Sequence, residues 1–216
     1  GGMEKVSLQS LSAENIWIAP NVPVFHTNKV LDFGVGLRAK LGNKVAAHTG
    51  LSFANLKYWY YFVNTEADQA KFDVTYDAGA GTRRTNFYAA LSYAQSEIAK
   101  FMLRGDLYSY GMGSLVEAWH RPTYKVTANA SYNLYEKILF QADIIAQGGM
   151  RALDPATDNI VKLKSAFDLS FKTEYLFSNS FSAFLQFNNM TSNKYPVFLN
   201  YPVRGFQVTG GIIWNF

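Results

Sequence analysis

Apolar and polar residues alternate with a period of two along most of this sequence. From Val161 to Phe177 every second residue is apolar, with Ser165 and Thr173 as exceptions, and the residues between them carry five charges. Successive side chains of a β-strand point to opposite faces, so this pattern predicts a strand with one apolar and one polar face.

The same alternation recurs in other stretches, and together they predict nine strands from Val30 onward. The further stretches are 31–39, 45–53, 87–94, 101–108, 124–134, 138–147, 181–187 and 206–216. A weaker candidate from Lys5 to Ser12 would make ten, and the proline-containing segment from Glu14 to Lys29 is expected to be a loop. We therefore divide the chain into 1–29, a weak first strand with an extracellular loop, and 30–216, the strands of a transmembrane β-barrel.

The connections between these strands alternate in length. Short links are predicted at Leu41 to Lys44, Ser96 to Ala99, Tyr135-Glu136 and Ser178-Asn179, where tight hairpins are expected. Longer polar links are predicted at Asn64 to Ala70, Gly111 to Pro122, Gly149 to Asn159 and Met190 to Arg204. Outer-membrane barrels have short periplasmic turns and long extracellular loops. The last strand should therefore run toward the periplasmic end.

Composition favours lipid over water around the apolar face. Aromatic residues make up 16% of the chain and charged residues only 17%, against roughly 25% charged in ordinary soluble domains. No apolar run approaches the roughly 20 residues of a membrane helix. Tyrosine and tryptophan lie near predicted strand ends, where headgroup contacts are expected: Tyr58 to Tyr61, Tyr132, Tyr175 and Trp214.

These features predict an all-β, antiparallel transmembrane β-barrel with about ten strands in this chain. Alternation alone also fits a soluble antiparallel sheet with one buried face. Backbone groups in hydrocarbon must be satisfied internally, so such strands must close on themselves or join a larger barrel.

The polar face is rich in charge. Its charged residues are Arg38, Lys40, Arg104, Asp106, Lys125, Asp143, Lys162, Lys164, Asp168, Lys172 and Glu174. Inside a barrel they could form a ladder of ion pairs, or line a pore, or meet a plug. A ten-stranded barrel has a small interior, so we favour a structural ladder.

Other candidate sites are weak. The three histidines, His26, His48 and His120, are far apart and show no metal-ligand spacing. The segment LDPATDN lacks calcium-loop spacing, and GAGTRR has no strand-to-helix context for a phosphate loop. The aromatic run KYWYYF could bind a sugar, although a membrane-interface belt is favoured.

Several function classes are not expected. The 20 Lys and Arg residues are spread along a chain of net charge +4, which argues against nucleic-acid binding. The chain has no cysteine. No nucleophile and base form a recognisable catalytic set, so we expect neither a catalytic residue, a metal site, a cofactor nor an enzyme.

Several motifs, taken in order, carry a resemblance to a known family. They are a W-x-x-P step at Trp119, the hairpin YNLYEK, the loop segment NNMTSNKY and the terminal strand that runs from Gly211 to Phe216. From about Val30 to Phe216 the chain resembles the C-terminal barrel strands of TonB-dependent receptor-like outer-membrane proteins, particularly those of Bacteroidetes.

The resemblance implies a barrel in the Gram-negative outer membrane that contributes to nutrient uptake or binding. Family members carry a plug domain, a TonB-contacting box and a barrel of 22 strands, so this chain is expected to be the C-terminal portion of such a receptor. A small stand-alone barrel with a structural or adhesion role is the alternative.

The implied partners are outer-membrane lipid, the barrel-assembly machinery, the plug domain and TonB of a larger receptor, or a surface lipoprotein. Phe216, with Trp214, resembles the terminal aromatic assembly signal.

Overall fold

A computed structural model describes residues 1–64, 68, 70–96, 98–178 and 180–214. Their elements in chain order are β1 (Gly2–Glu4), α1 (Leu8–Glu14), β2 (Thr27–Leu41), β3 (Val45–Lys57), β4 (Trp59–Asn64), β5 (Phe72–Asp77), β6 (Thr82–Gln95), β7 (Ala99–Gly111), β8 (Tyr124–Leu134), β9 (Ile138–Gly148), β10 (Arg151–Asp154), β11 (Asn159–Lys162), β12 (Ala166–Leu176), β13 (Phe181–Asn188), β14 (Pro196–Phe198), β15 (Tyr201–Pro202) and β16 (Gln207–Trp214).

Ten of these strands form one antiparallel sheet, in the order β1-β2-β3-β6-β7-β8-β9-β12-β13-β16. The remaining strands form three separate hairpins, β4–β5, β10–β11 and β14–β15, inside long connections. The sheet confirms the predicted all-β antiparallel architecture of about ten strands. It is not closed: within the described ranges, β1 and β16 each pair on one side only.

The register gives the sheet two chemically different faces. Val35, Leu51, Phe87 and Leu107 are paired across four neighbouring strands and form an apolar row. The next row joins Gly50, Tyr88, Asp106, Lys125 and Gln147. We call these sides the apolar face and the polar face.

Among the residues that the structure describes, no second layer of protein covers the apolar face. Leu37 and Leu103 remain exposed, as do many other large apolar side chains of that face. An exposed apolar surface of this extent is costly in water and is typical of a membrane or protein interface. An exposed apolar face opposite a polar face is also what the wall of an outer-membrane barrel has.

Short and long connections lie at opposite ends of the sheet, as predicted. The short links span 42–44, 96–98, 135–137 and 177–180. Gly42, Tyr135 and Glu136 adopt positive φ in these links, as tight hairpin turns often require. β3, β7, β9 and β13 all lead into long connections at the other end.

The N-terminal strand prediction is wrong. Leu8–Glu14 forms the helix α1, and the first strand is Gly2–Glu4. Ser7 caps α1 by accepting a hydrogen bond from the Ser10 N–H, and the Ser10 hydroxyl accepts from the Ser7 N–H. Leu11 is fully buried among the long connections. The capping box and the buried Leu11 together favour a helical turn over a strand.

The strand predicted from Val161 to Phe177 is divided in two. β11 ends at Lys162 and β12 begins at Ala166. Leu163 packs with Met150 and Ala152 instead of continuing the sheet, and the Ser165 hydroxyl accepts a hydrogen bond of 3.0 Å from Tyr124.

No helix among the described residues is long and apolar enough to cross a membrane.

Candidate functional site

The long connections pack together at one end of the sheet. We call the segments 5–26, 58–81, 112–123, 149–165 and 189–206 the cap. Nearly all the large buried apolar side chains of the described chain belong to it, in three clusters. The largest cluster joins Val6, Leu11, Phe62, Phe72 and Phe198 from three of the five segments. The cap therefore has its own hydrophobic core.

His120 joins four of the cap segments. Its Nδ1 lies 2.9 Å from the Phe62 carbonyl oxygen, and its Nε2 accepts a hydrogen bond of 3.2 Å from the Leu199 N–H. The backbone N–H of His120 donates a hydrogen bond of 2.8 Å to the Arg151 carbonyl oxygen. Burial lowers the pKa of His120 to about 4, against a smaller opposing effect of the Phe62 carbonyl. His120 is neutral at ordinary pH.

Arg121 connects the N-terminal segment to the centre of the cap. Its guanidinium donates to the Glu14 carboxylate at 3.1 Å and to the Tyr60 carbonyl at 3.2 Å. It also lies 4.7 Å from the ring centroid of Trp59, a cation–π contact. The Tyr60 hydroxyl donates to Glu14. Burial, followed by this bond to Glu14, raises the pKa of Tyr60 to about 12.

Asp77 anchors the segment 112–123 to β5. Its carboxylate accepts hydrogen bonds from the Thr82 hydroxyl, the Gly113 N–H, and both the N–H and the hydroxyl of Ser114. Burial by itself would raise the pKa of Asp77, but these donors outweigh it and lower the pKa below its usual value. A buried carboxylate held in this way fixes the start of the segment 112–123.

A cavity of about 420 Å³ lies between the cap and the polar face. Its wall side is formed by Tyr108 and Tyr110, whose rings are nearly parallel with centroids 6.2 Å apart. Its other lining residues come from the segments 112–123 and 149–165, with the basic residues Arg121, Arg151 and Lys162 and the acidic residue Glu117. Arg151 and Glu117 form an ion pair. With Glu14, which pairs with Arg121 outside the lining, three positive charges face two negative ones, so the cavity is basic by one charge.

Most of the predicted polar-face charges do lie on that face. Arg104 and Asp106 form an ion pair of 2.7 Å, and Lys172 and Glu174 form one of 3.0 Å. The others that lie on sheet strands are Arg38 and Lys40 on β2, Lys125 opposite Asp106, Asp143 bonded to Asn129, and Asp168 bonded to Ser170. Their role as a ladder in a barrel interior stays a prediction.

Lys162 and Lys164 lie elsewhere. Lys162 lies opposite Arg151 in the strand register of the separate β10–β11 hairpin, and Lys164 lies between β11 and β12. The alternating pattern runs through both positions, but burial of Leu163 in the cap removes them from the sheet. This displacement brings Lys162 to the basic cavity.

The predicted aromatic belt is partly wrong. Tyr61 is fully buried, and Trp59, Tyr60 and Phe62 also pack inside the cap. Tyr132, Tyr175 and Trp214 are exposed near the short-turn end of the sheet. Phe216 lies outside the described residues, so the predicted assembly signal stays a prediction.

The remaining candidates give no chemical site in the described part of the chain. No group of three or more His, Asp or Glu residues there could hold a metal ion. Asp154 accepts hydrogen bonds from the Ala156 N–H and the Thr157 hydroxyl, as in an ordinary polar turn. Arg83 and Arg84 lie on β6. The importance of His120 was missed because its partners are 58 and 79 residues away along the chain.

Comparison with known proteins shows similarity in fold. The FrpB iron transporter from Neisseria meningitidis matches 92% of this chain with a TM-score of 0.64 and 15% identity. The ferripyoverdine receptor of the Pseudomonas aeruginosa outer membrane matches 86% with a TM-score of 0.62 and 12% identity. The ferric-catecholate import receptor Fiu from Escherichia coli K12 matches 95% with a TM-score of 0.62 and 11% identity.

The chain spans about a third or less of each of these receptors, 32%, 27% and 31% respectively. No family model and no curated protein matches the sequence. The fold is that of a segment of an outer-membrane receptor barrel, which agrees with the outer-membrane location that the sequence predicts.

Proposed function

We propose that the chain forms part of the wall and the extracellular cap of a TonB-dependent receptor-like barrel in the outer membrane of a Gram-negative cell. In this proposal it contributes to the uptake or binding of a nutrient and has no enzymatic activity. The observation that carries the proposal is the combination of an uncovered apolar face with a packed cap that encloses a basic cavity on the opposite, polar face.

The partners follow from this placement. Lipid contacts the apolar face, and a plug domain and TonB belong to the rest of the receptor. The barrel-assembly machinery would act on the terminal strand, where Trp214 is exposed. A surface lipoprotein partner and the Bacteroidetes affinity rest on the sequence motifs alone.

The cavity favours an anionic nutrient. Arg151 and Lys162 face the same space as Arg121 and the two stacked tyrosines Tyr108 and Tyr110. Positively charged, partly enclosed walls concentrate anions. The names of the three structural neighbours described above refer to iron or its chelates, so a ferric complex of an anionic chelator is the first ligand class to test.

The membrane placement can be tested with two adjacent residues of β7. Leu103 and Met102 are 40% and 41% exposed and lie on opposite faces of the sheet. Because the chain has no cysteine, Leu103→Cys and Met102→Cys can each carry one fluorophore in vesicles of brominated phosphatidylcholine. We expect quenching of the label at position 103 only. Equal fluorescence from both labels would contradict a lipid-facing apolar face.

Uptake tests the ligand class. Cells that carry Arg151→Gln together with Lys162→Gln should take up a radiolabelled ferric tris-catecholate about tenfold or more slowly, because hydrogen bonds to charged groups contribute roughly 1.5–3 kcal/mol each. The matched control is Arg38→Gln with Lys40→Gln, which removes two positive charges at the other end of the polar face. Equal uptake by both double variants would exclude this ligand class for the cavity.

A further inference from the structure

The hydrogen-bond partners of His120 fix its protonation state. The Phe62 carbonyl oxygen is only an acceptor, so Nδ1 must carry a proton and donate to it. The Leu199 N–H is only a donor, so Nε2 must be unprotonated and accept from it. Both bonds exist together only when the ring is neutral. An exposed histidine can hydrogen-bond to water in either protonation state, whereas His120 keeps both of its protein partners only when its ring is neutral.

These bonds cross the whole cap. The ring bonds reach Phe62 in the segment 58–81 and Leu199 in the segment 189–206. The backbone N–H of His120 also donates to the carbonyl oxygen of Arg151 in the segment 149–165. The ring also packs against Phe72 and Phe198, with centroids 5.7 Å and 5.3 Å away. The side chain of His120 therefore joins three of the five cap segments, and its backbone N–H adds the fourth.

We propose that His120 is an acid-sensitive latch that fastens the segment 189–206 to the segment 112–123 and so holds the cap closed. Protonation gives Nε2 an N–H that points at the N–H of Leu199. Two donors then face each other, and the hydrogen bond to the segment 189–206 is lost. The new positive charge is buried beside two aromatic rings. Release of the segment 189–206 relieves both costs and removes one support of the segment 112–123, which lines the cavity through Val116 and Arg121.

The charges around His120 favour release. Arg121 follows it directly and is paired with Glu14, while Arg151 is paired with Glu117. Lys71, just before β5, and Asp73 on β5 flank Phe72, and both are exposed. β4 and the β14–β15 hairpin contain no charged residue. Glu14 and Glu117 thus already have cationic partners, and Arg121 opposes a second positive charge.

The direction of the pH dependence follows from the lowered pKa of His120. The closed cap is fully stabilised above the ordinary histidine value of 6.5, and this stabilisation is lost as the pH falls through about 4. Between these two values the open form binds the proton and the closed form does not. The opening constant therefore rises about 80-fold as the pH falls from 6.5 to about 4, and about 300-fold between the two limits well above and well below this range.

Spin labels on two cap segments test the latch in the full chain in membrane vesicles. Val116 and Val197 are 75% and 40% exposed, and both can be replaced by cysteine in a chain that has none. We expect the distance distribution between the labels to be narrow at about pH 7.5 and to broaden and lengthen at about pH 4. With His120→Gln, which cannot titrate, the distribution should not change with pH.

Two other histidines provide matched controls. His26 accepts a hydrogen bond from the Val6 N–H in the cap, and His48 contacts Tyr88 on the wall. His26→Gln and His48→Gln should both keep the pH response. A response that persists in His120→Gln, or disappears in His26→Gln, would overturn the proposal.

The ring itself supplies a second measurement. Nitrogen chemical shifts of His120 should report the Nδ1–H tautomer at neutral pH, with protonation at the same midpoint as the change in label distance. This measurement decides the matter if His120→Gln opens the cap at every pH. Titration of the ring near 6.5 with the labels unmoved would exclude the latch.

Discussion

Two glycines on the polar face lie directly under aromatic rings of the neighbouring strand. A Cβ at Gly50 would be 2.7 Å from the ring of Tyr88, and one at Gly211 would be 2.8 Å from Phe184. Register pairs these residues across the strands. The rings cover the glycine backbone and replace the missing side chain. Gly50 is thus required by packing and not by backbone conformation.

The substitution Gly50→Ala should therefore destabilise the sheet by about 1–3 kcal/mol, because the Tyr88 ring must leave its position over β3. Gly105→Ala is the matched control, since a Cβ at this β7 position has nothing within 4 Å. The midpoint of heat modification on a gel measures the difference. A similar loss for both variants would mean that the cost comes from the strand backbone and not from Tyr88.

At the same scale, single residues of the cap were the hardest to predict. The run KYWYYF gives no local sign that Tyr61 is fully buried while its neighbour Tyr58 is exposed. Tyr61 is placed by its hydrogen bond of 2.8 Å to Thr82, which lies 21 residues further along the chain. Composition and spacing carry no information on such contacts.

Among the elements, the sheet strands were predictable and the cap elements were not. A period of two marks β2, β3, β6, β7, β8, β9, β12, β13 and β16 directly, because each has one apolar and one polar side. The cap strands β4, β5, β10, β11, β14 and β15 are short and pack on several sides, so alternation is lost. The helix α1 was predicted as a strand because its seven residues contain only one deeply buried position, Leu11.

Helix α1 depends on its N-cap residue, Ser7. Ser7→Ala removes the acceptor of the Ser10 N–H, a bond of 3.1 Å, and should cost about 1 kcal/mol of local stability. Hydrogen exchange of residues 8–14 should therefore speed up by about fivefold or more. Ser12→Ala is the control, because the Ser12 hydroxyl only donates to the Leu8 carbonyl within the helix. Unchanged exchange in Ser7→Ala would show that burial of Leu11 holds the helix by itself.

On the scale of the whole molecule, the exposed apolar face determines what must cover the unpaired edge of the sheet. β1 pairs with β2 only from Thr27 to Lys29, so the long remainder of that edge has no partner within the described chain. The same strand carries exposed Phe33, Val35 and Leu37 on the apolar face. An edge with unpaired backbone groups cannot lie in hydrocarbon without large cost. Further strands, from the same protein or from a second chain, must therefore cover it in a membrane.

This requirement gives a prediction for hydrogen exchange in the native membrane. The amides of β2 from Leu31 to Lys40 should be protected as strongly as those of β7, which pairs on both sides with β6 and β8. An uncovered edge would instead leave every second amide of β2 unprotected, because an antiparallel pair bonds alternate residues on each side. Alternating exchange in β2 together with full protection of β7 would show that the barrel does not continue past this edge. The apolar face would then need a partner other than a bilayer.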